Sequence, residues 1–127
     1  MPAPDAILNA ADQLFAAIER GDQATVEQMF DDGIEVWRVG SRRDDDKARA
    51  LRVIHWFIDV TKERHYEILD RQLFSDGFVQ QHILNATGHD GGSIALRVCI
   101  VIKLNADALI SRIDEYFDPA GMAPLLS

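Results

Sequence analysis

The stretch that decides the fold lies in the second half of the chain, where residues 78–117 read FVQQHILNATGHDGGSIALRVCIVIKLNADALISRIDEYF. Apolar and polar side chains alternate along it with a period of about two residues, as in a β-strand that buries one face. Glycine, aspartate and asparagine interrupt the alternation at 88–92 and 105–107, where hairpin turns are expected. The stretch therefore predicts consecutive antiparallel strands.

The alternation extends upstream to Tyr66, with one further turn at Ser75-Asp76-Gly77. Working outward from the quoted stretch, we predict a meander of four antiparallel strands. The strands are expected to cover residues 66–74, 78–86, 93–104 and 109–117.

In the first half of the chain, apolar residues recur with the spacing of three to four residues that is typical of helices. A first helix that ends at Gly21 carries one apolar stripe, formed by Ile7, Leu8, Ala11, Leu14, Phe15 and Ile18. A short second helix at 23–30, a brief strand at 34–39 and a third helix at 46–62 follow. This order predicts an α+β fold in which a curved antiparallel sheet is wrapped over three N-terminal helices. We expect one domain over residues 1–127, with a cavity between the helices and the concave face of the sheet.

Composition narrows the range of partners. The 127 residues include 21 acidic and 13 basic side chains, for a net charge of −8, which repels phosphate backbones and anionic lipid. We therefore expect neither nucleic acid nor a membrane as a partner. The N-terminal segment has an acidic residue where a signal peptide has basic residues. No apolar run approaches the ~20 residues of a membrane span. These features predict a cytoplasmic protein.

Strand alternation also indicates which polar groups share a face with apolar ones. His82 and Gln80 stand between Phe78 and Leu84 on one face, and Glu115 stands between Ile113 and Phe117 on another. The face of the 93–104 strand that carries Val98 and Ile100 is wholly apolar. If these faces converge, an imidazole and a carboxylate meet in one apolar cavity, where desolvation and mutual contact favour proton transfer.

The alternative for these residues is structural, because a polar residue in a strand more often faces solvent or forms a fixed hydrogen bond. His55, Asp59 and Glu63 share a helix face at a spacing compatible with a cation, but solvated helix charges explain them better. Cys99, the one cysteine, is interpreted as a packing residue. The chain has no P-loop and no GxGxxG sequence, and we expect neither a cofactor nor a metal.

Three segments carry a family resemblance: 14–22 (LFAAIERGD), 29–32 (MFDD) and, above all, 110–118 (ISRIDEYFD). With the order of elements, they resemble the nuclear transport factor 2-like superfamily, which includes SnoaL-like polyketide cyclases, ketosteroid isomerases and limonene epoxide hydrolases. The resemblance covers nearly the whole chain. It implies a cone-shaped α+β barrel with a deep apolar pocket, and dimerisation through the sheet.

The resemblance can be followed position by position. Trp37 stands where ketosteroid isomerases have their basic aspartate and Ile100 where they have the aspartate of the oxyanion hole, which disfavours that reaction. In place of the Arg-x-Asp of limonene epoxide hydrolases the chain has Gln80 and His82, and Glu115 matches their second aspartate. Their tyrosine and asparagine on the early strand fall near Glu35 and Trp37.

Two functions follow from these observations. The first is a cofactor-independent isomerase, cyclase or hydrolase for a small apolar metabolite, with His82 and Glu115 as catalytic residues. Its substrate-binding residues would be Glu35, Trp37, Gln80, Phe78, Val98 and Ile100. The second is a non-catalytic ligand-binding or dimerisation module of the same fold. A homodimer is expected through the strand faces that carry Arg97, Cys99 and Val101, and Arg112, Asp114 and Tyr116.

Overall fold

Two helices precede the first strand. The computed structural model describes residues 2–126, in which α1 spans Pro4–Glu19 and α2 spans Gln23–Met29. The N-cap of α1 is Ala3, which forms no side-chain hydrogen bond to the helix. Asp5 lies in the first turn. The N-cap of α2 is Asp22, whose carboxylate accepts from the Thr25 amide at 3.1 Å.

Strand β1 (Phe30–Arg38) follows α2 directly, and α3 (Lys47–Val60) follows β1. The carboxylate of Asp46 accepts from the Arg49 amide at 3.0 Å and begins α3. This helix ends two residues before the predicted limit at Lys62, because the chain turns extended at Thr61 and starts the next strand. The Thr61 hydroxyl satisfies one freed carbonyl by donating to Phe57 O at 2.7 Å.

Four strands then form the predicted antiparallel meander: β2 (Thr61–Phe74), β3 (Gly77–Gly88), β4 (Ser93–Leu104) and β5 (Ile110–Tyr116). A 3₁₀ turn at Pro119–Met122 and a short α4 at Ala123–Leu126 end the described chain. The α+β class predicted from the sequence is confirmed.

The sheet differs from the prediction in one pairing. Its strand order is β1-β5-β4-β3-β2, and β1 runs parallel to β5, with Val36 opposite Ile113. The sheet is therefore mixed, not wholly antiparallel. Its edge strands β1 and β2 are not hydrogen-bonded to each other within residues 2–126, so it is an open curved sheet and not a closed barrel. Alternation within a strand reports its faces but not its partners, which explains the difference.

The inner face of the sheet forms the core with the helices. In β3 every second residue is buried, from Phe78 to Gly88, and in β4 the same holds from Ile94 to Leu104. These residues pack against the buried stripe of α1, which contains five of the six residues predicted from its period. The sixth, Leu8, is exposed, because it lies at the border of the stripe next to the solvent-facing side of the helix. The inner face is thus the surface on which a buried site can form.

Strand β2 contains a β-bulge beside this face. Ile68 pairs with His82 and Asp70 pairs with Gln81, so Leu69 is an extra residue. The bulge shifts the alternation by one position, and Arg71 consequently pairs with the inward-facing Gln80.

Candidate active site

A cavity of about 150 Å³ lies between the inner face of the sheet and helices α1 and α3. Most of its lining is apolar, and four polar side chains interrupt it: Arg38, Tyr66, His82 and Glu115. Val53 and Trp56 of α3 line it and are also 39% and 38% exposed, which places its mouth beside them. An apolar cavity of this volume accommodates a ligand about the size of benzene.

His82 is the most deeply buried of these polar groups, at 1% exposure. Its ring packs edge-on against Tyr66, with centroids 4.9 Å apart, and against Phe15, at 5.4 Å. Burial lowers the pKa of His82 to about 4, and the positive charge of Arg71 acts in the same direction. The imidazole is therefore neutral at physiological pH.

A chain of hydrogen bonds runs from His82 to the protein surface. His82 Nδ1 lies 2.8 Å from Gln80 Nε2, and Gln80 Oε1 accepts from Arg71 Nε at 2.8 Å. Arg71 Nη1 in turn donates to Asp12 Oδ1 of α1 at 2.7 Å. The Arg71 guanidinium also lies over the Phe78 ring, 5.8 Å from its centroid. Gln80 is therefore held between a fixed cation and the imidazole.

Glu115 has a different partner. Its Oε1 lies 3.3 Å from Arg38 Nε, and Arg38 also meets Asp45 at 3.3 Å. Burial raises the pKa of Glu115, and the neighbouring Arg38 charge opposes part of that rise. No ion pair joins His82 to Glu115 among the residues that the structure describes, so the contact between imidazole and carboxylate considered from the sequence is replaced by two separate pairs.

Tyr66 is the fourth polar group of the cavity. Its ring packs edge-on against Phe15 with centroids 4.8 Å apart, in addition to its contact with His82. Burial raises the pKa of the phenol, and the negative charges of Glu115 and Glu19 act in the same direction. The group is thus a neutral phenol that can donate a hydrogen bond.

The structure places some of the predicted site residues together and separates others. His82, Glu115, Val98 and Ile100 line the cavity. Gln80 is fully buried behind His82, and Phe78 lies in the core under Arg71; neither is part of the lining.

Glu35 and Trp37 lie on the outer face of the sheet, away from the cavity. Glu35 is exposed, and the Trp37 ring packs against Tyr116 with centroids 5.1 Å apart. On β1 the inward positions are Val36 and Arg38, which pair with Ile113 and Glu115. We therefore leave Glu35 and Trp37 out of the site.

Three side chains of this site were not identified from the sequence: Arg38, Tyr66 and Arg71. The apolar pair Ile34 and Val36 is a signal that could have placed Arg38 on the inner face, since the three residues alternate. No such signal exists for Arg71, because the bulge at Leu69 reverses the parity that the sequence implies.

Two other findings concern the chain as described. Within residues 2–126, His55, Asp59 and Glu63 do not form a metal-binding group, and neither do any other three His, Cys, Asp or Glu residues. No helix in that part of the chain is both long enough and apolar enough to cross a membrane.

Comparison with known proteins identifies the fold. No protein-family model matches the sequence, and no curated protein matches it. Among solved structures, a limonene epoxide hydrolase (LEH)-like epoxide hydrolase of Mycobacterium tuberculosis is similar at a TM-score of 0.80 and 18% identity, over 98% of this chain and 92% of that one.

Two further structures extend the similarity. One is the epoxide hydrolase/cyclase-like enzyme SalBIII, with a role in pyran ring formation in the polyether salinomycin (TM-score 0.81, 14% identity, 95% and 97% coverage). The other, from Shewanella denitrificans, is described as a SnoaL-like polyketide cyclase (TM-score 0.78, 12% identity, 98% of both chains).

These similarities establish the fold of the chain. The chain has the fold of SnoaL-like polyketide cyclases and LEH-like epoxide hydrolases, with polar groups of shifted pKa in an apolar cavity. The resemblance to the nuclear transport factor 2-like superfamily inferred from residues 14–22, 29–32 and 110–118 is confirmed at the level of the fold.

Proposed function

We propose that this chain is an enzyme that acts on a small, mostly apolar metabolite by general acid/base chemistry, without a cofactor, as an isomerase, cyclase or hydrolase. The observation that carries the proposal is the presence of His82 and Glu115 in the lining of one apolar cavity. Burial lowers the pKa of His82 and raises that of Glu115. Shifted pKa values in an enclosed cavity are typical of groups that transfer protons.

Glu115 is the group that takes up and returns the proton in this proposal. A raised pKa makes a carboxylate a stronger base, and Arg38 at 3.3 Å holds it in place. The neutral His82 ring and the Tyr66 phenol bind the polar part of the ligand, while Val98 and Ile100 contact its apolar part.

The volume of the cavity sets the size of the ligand. About 150 Å³ suits a single ring or a chain of similar size, and a larger substrate would extend through the mouth beside Trp56. Polyketide cyclisation and epoxide hydrolysis, which are named for the structural neighbours, are the two activities we would test first. The chain has Gln80 and His82 where the epoxide hydrolases of the resemblance have arginine and aspartate, so a different arrangement of donors would serve either reaction.

The test begins with mass spectrometry of the purified protein, to identify any small molecule that co-purifies with it. Turnover should be assayed on such a molecule and on small cyclic epoxides and ketones. Glu115→Gln should lower kcat about 10²- to 10⁴-fold, because the amide cannot accept the proton. His82→Ala should reduce turnover by a similar factor.

The matched control is Glu67→Gln, since Glu67 is exposed on β2 and pairs with the outward-facing Ile83. This variant should retain the wild-type rate. Full turnover by Glu115→Gln would contradict the proposal. A ligand bound equally well by wild type and Glu115→Gln, and converted by neither, would favour a non-catalytic binding module.

A further inference from the structure

We propose that Arg71, acting through Gln80, fixes His82 in the tautomer that carries its proton on Nε2, so that the imidazole presents a hydrogen-bond donor to the cavity. Arg71 and Gln80 are positioning residues in this arrangement, and neither lines the cavity. The inference about the tautomer stands on the hydrogen bonds alone, and only its consequence for catalysis rests on the proposed function.

The first step of the argument is the orientation of the Gln80 side chain. Arg71 Nε bears a hydrogen and has no acceptor capacity, so the Gln80 atom 2.8 Å from it must be the carbonyl oxygen. The guanidinium cannot turn away freely, because Asp12 binds its Nη1 at 2.7 Å and the Phe78 ring lies beneath it. The amide NH₂ of Gln80 therefore points toward His82.

The second step concerns the ring. An NH₂ group can only donate, and it lies 2.8 Å from His82 Nδ1. Nδ1 must then accept, which requires that it carry no proton. In a neutral imidazole the proton is consequently on Nε2. A protonated Nδ1 would place two N–H groups against each other in a site that is 0% exposed at Gln80 and 1% exposed at His82.

The third step concerns the ring nitrogen of His82 that is available to a ligand in the cavity. Nδ1 is occupied by Gln80, so Nε2 is the nitrogen of this lining residue that is left for a ligand. A neutral Nε2–H donates and does not accept. His82 is thus a donor to an oxygen of the ligand, such as a carbonyl or ether oxygen, and Glu115 is left as the proton acceptor. In this assignment His82 binds the ligand and Glu115 transfers the proton.

The tautomer can be measured directly in the ligand-free protein. Nitrogen-15 spectra of the histidine ring distinguish a protonated from an unprotonated nitrogen by chemical shift and by coupling to the ring protons. Wild-type protein should show a protonated Nε2 and an unprotonated Nδ1 at His82. A protonated Nδ1 in the neutral ring would overturn the proposal, and this measurement depends on no variant.

Two variants test the role of the relay. In Gln80→Glu an acceptor replaces the donor opposite Nδ1, so the proton should move to Nδ1 and the titration midpoint of His82 should rise by about 1–3 pH units. Arg71→Met frees the Gln80 amide to rotate, and a mixture of both tautomers is expected. Retention of the pure Nε2–H form in both variants would overturn the role of Gln80 and Arg71.

The outer face of the sheet supplies matched controls. Arg97 Nη2 donates to Gln81 Oε1 at 3.0 Å, an arginine–glutamine contact in an exposed position. Arg97→Met and Gln81→Glu should therefore leave the His82 spectrum unchanged. A change in these variants as large as that in Arg71→Met would also count against the proposal.

A pair of small probes tests the donor that the ring presents. Cyclohexanone and methylenecyclohexane have nearly the same shape, but only the ketone has an oxygen that accepts a hydrogen bond. The ratio of ketone affinity to hydrocarbon affinity should be roughly 3- to 10-fold higher in wild type than in Gln80→Glu, because desolvation of each probe is the same in both proteins. An equal ratio in the two proteins would overturn the donor assignment.

These outcomes are separable from those of the proposed function. The tautomer and probe measurements require no turnover. An inactive protein with an Nε2–H ring would leave the inference standing and contradict the proposed function. An active protein with an Nδ1–H ring would do the reverse.

Discussion

His82 shows how a buried polar side chain is stabilised by its partners. A neutral imidazole in an apolar cavity loses hydration on both nitrogens, and Gln80 restores one hydrogen bond at 2.8 Å. The edges of Phe15 and Tyr66 confine the ring on two sides. Burial disfavours the charged form of the ring, and protonation would also add a charge near Arg71, so the pKa of His82 lies at about 4.

The low pKa of His82 makes a prediction for stability. The folded-state value of about 4 lies below the unfolded value of 6.5, so between these pH values the unfolded chain binds a proton that the folded chain does not. Stability should therefore fall as pH falls through this window, by about 3 kcal/mol in total. Urea unfolding of wild type and His82→Leu at pH 7 and pH 4 measures this contribution as the difference between the two proteins.

This comparison separates the contribution of His82 to the pH dependence of stability from that of Glu115, which has the opposite sign. The pKa of Glu115 is raised in the folded state, so acidification through its range favours folding. Glu115 is present in both proteins, and its effect cancels to first order. His89→Leu, at an exposed turn position, is the control and should keep the wild-type pH dependence. The same dependence in His82→Leu would show that the ring is not buried in neutral form.

At the scale of elements, Arg64 joins the ends of two helices. Its Nε donates to Ile18 O at 2.8 Å and its Nη2 to Glu19 O at 3.3 Å, at the end of α1. Its Nη1 donates to Ile58 O at 3.3 Å, near the end of α3, and to Thr61 O at 3.0 Å. A cation at this position satisfies carbonyls that have no helical partner and interacts favourably with both helix dipoles.

Arg64→Met should therefore lower the free energy of unfolding by about 2–4 kcal/mol, because it removes four hydrogen bonds to backbone carbonyls in a part-buried position. The midpoint of urea unfolding gives the measurement. Arg52→Met removes an exposed arginine from α3, away from the expected dimer face, and should change stability by less than about 0.5 kcal/mol. Equal effects of the two variants would argue that Arg64 does not hold the helix ends together.

The elements differ in how far the sequence predicts them. Strands β3 and β4 alternate without interruption, so the period alone places His82 on a face with apolar neighbours and Val98 with Ile100. The burial of these faces, which shows that they point inward, is seen only in the structure. β1 has polar residues on both faces and an irregular register between Phe30 and Glu35, which left its inward residue unidentified. The parallel pairing of β1 with β5 joins segments far apart in the chain, and nothing local encodes it.

For the whole molecule, fold and chemistry are specified by different residues. Three structures that share 12–18% of their residues with this chain superpose over nearly its full length. A pattern of buried and exposed positions is enough to conserve such a fold, whereas a reaction depends on a few groups. The sequence therefore predicted the architecture more fully than the site, where partners such as Gln80 for His82 and Arg38 for Glu115 emerge only in three dimensions.

The homodimer expected from the sequence remains a prediction for the whole molecule. The outer face of β4 and β5 carries the part-exposed Cys99 and Val101, and Tyr116 is 47% exposed and packed against Trp37. Such a mixed apolar and polar face suits a symmetric interface. Light scattering at micromolar concentration should give the mass of two chains, and Val101→Arg should give that of one. A monomeric wild type would contradict the expectation.

The bulge in β2 has a consequence for how related sequences should be compared. Loss of one residue between Tyr66 and Arg71 would reverse the face on which each following side chain of β2 lies. The guanidinium of Arg71 would then lie on the opposite side of the sheet, although no other residue had been substituted. The length of this segment therefore matters as much as the identity of its residues. Where an alignment places a gap in this segment, the aligned histidines of the two proteins would differ in which ring nitrogen carries the proton, even if every aligned residue is identical.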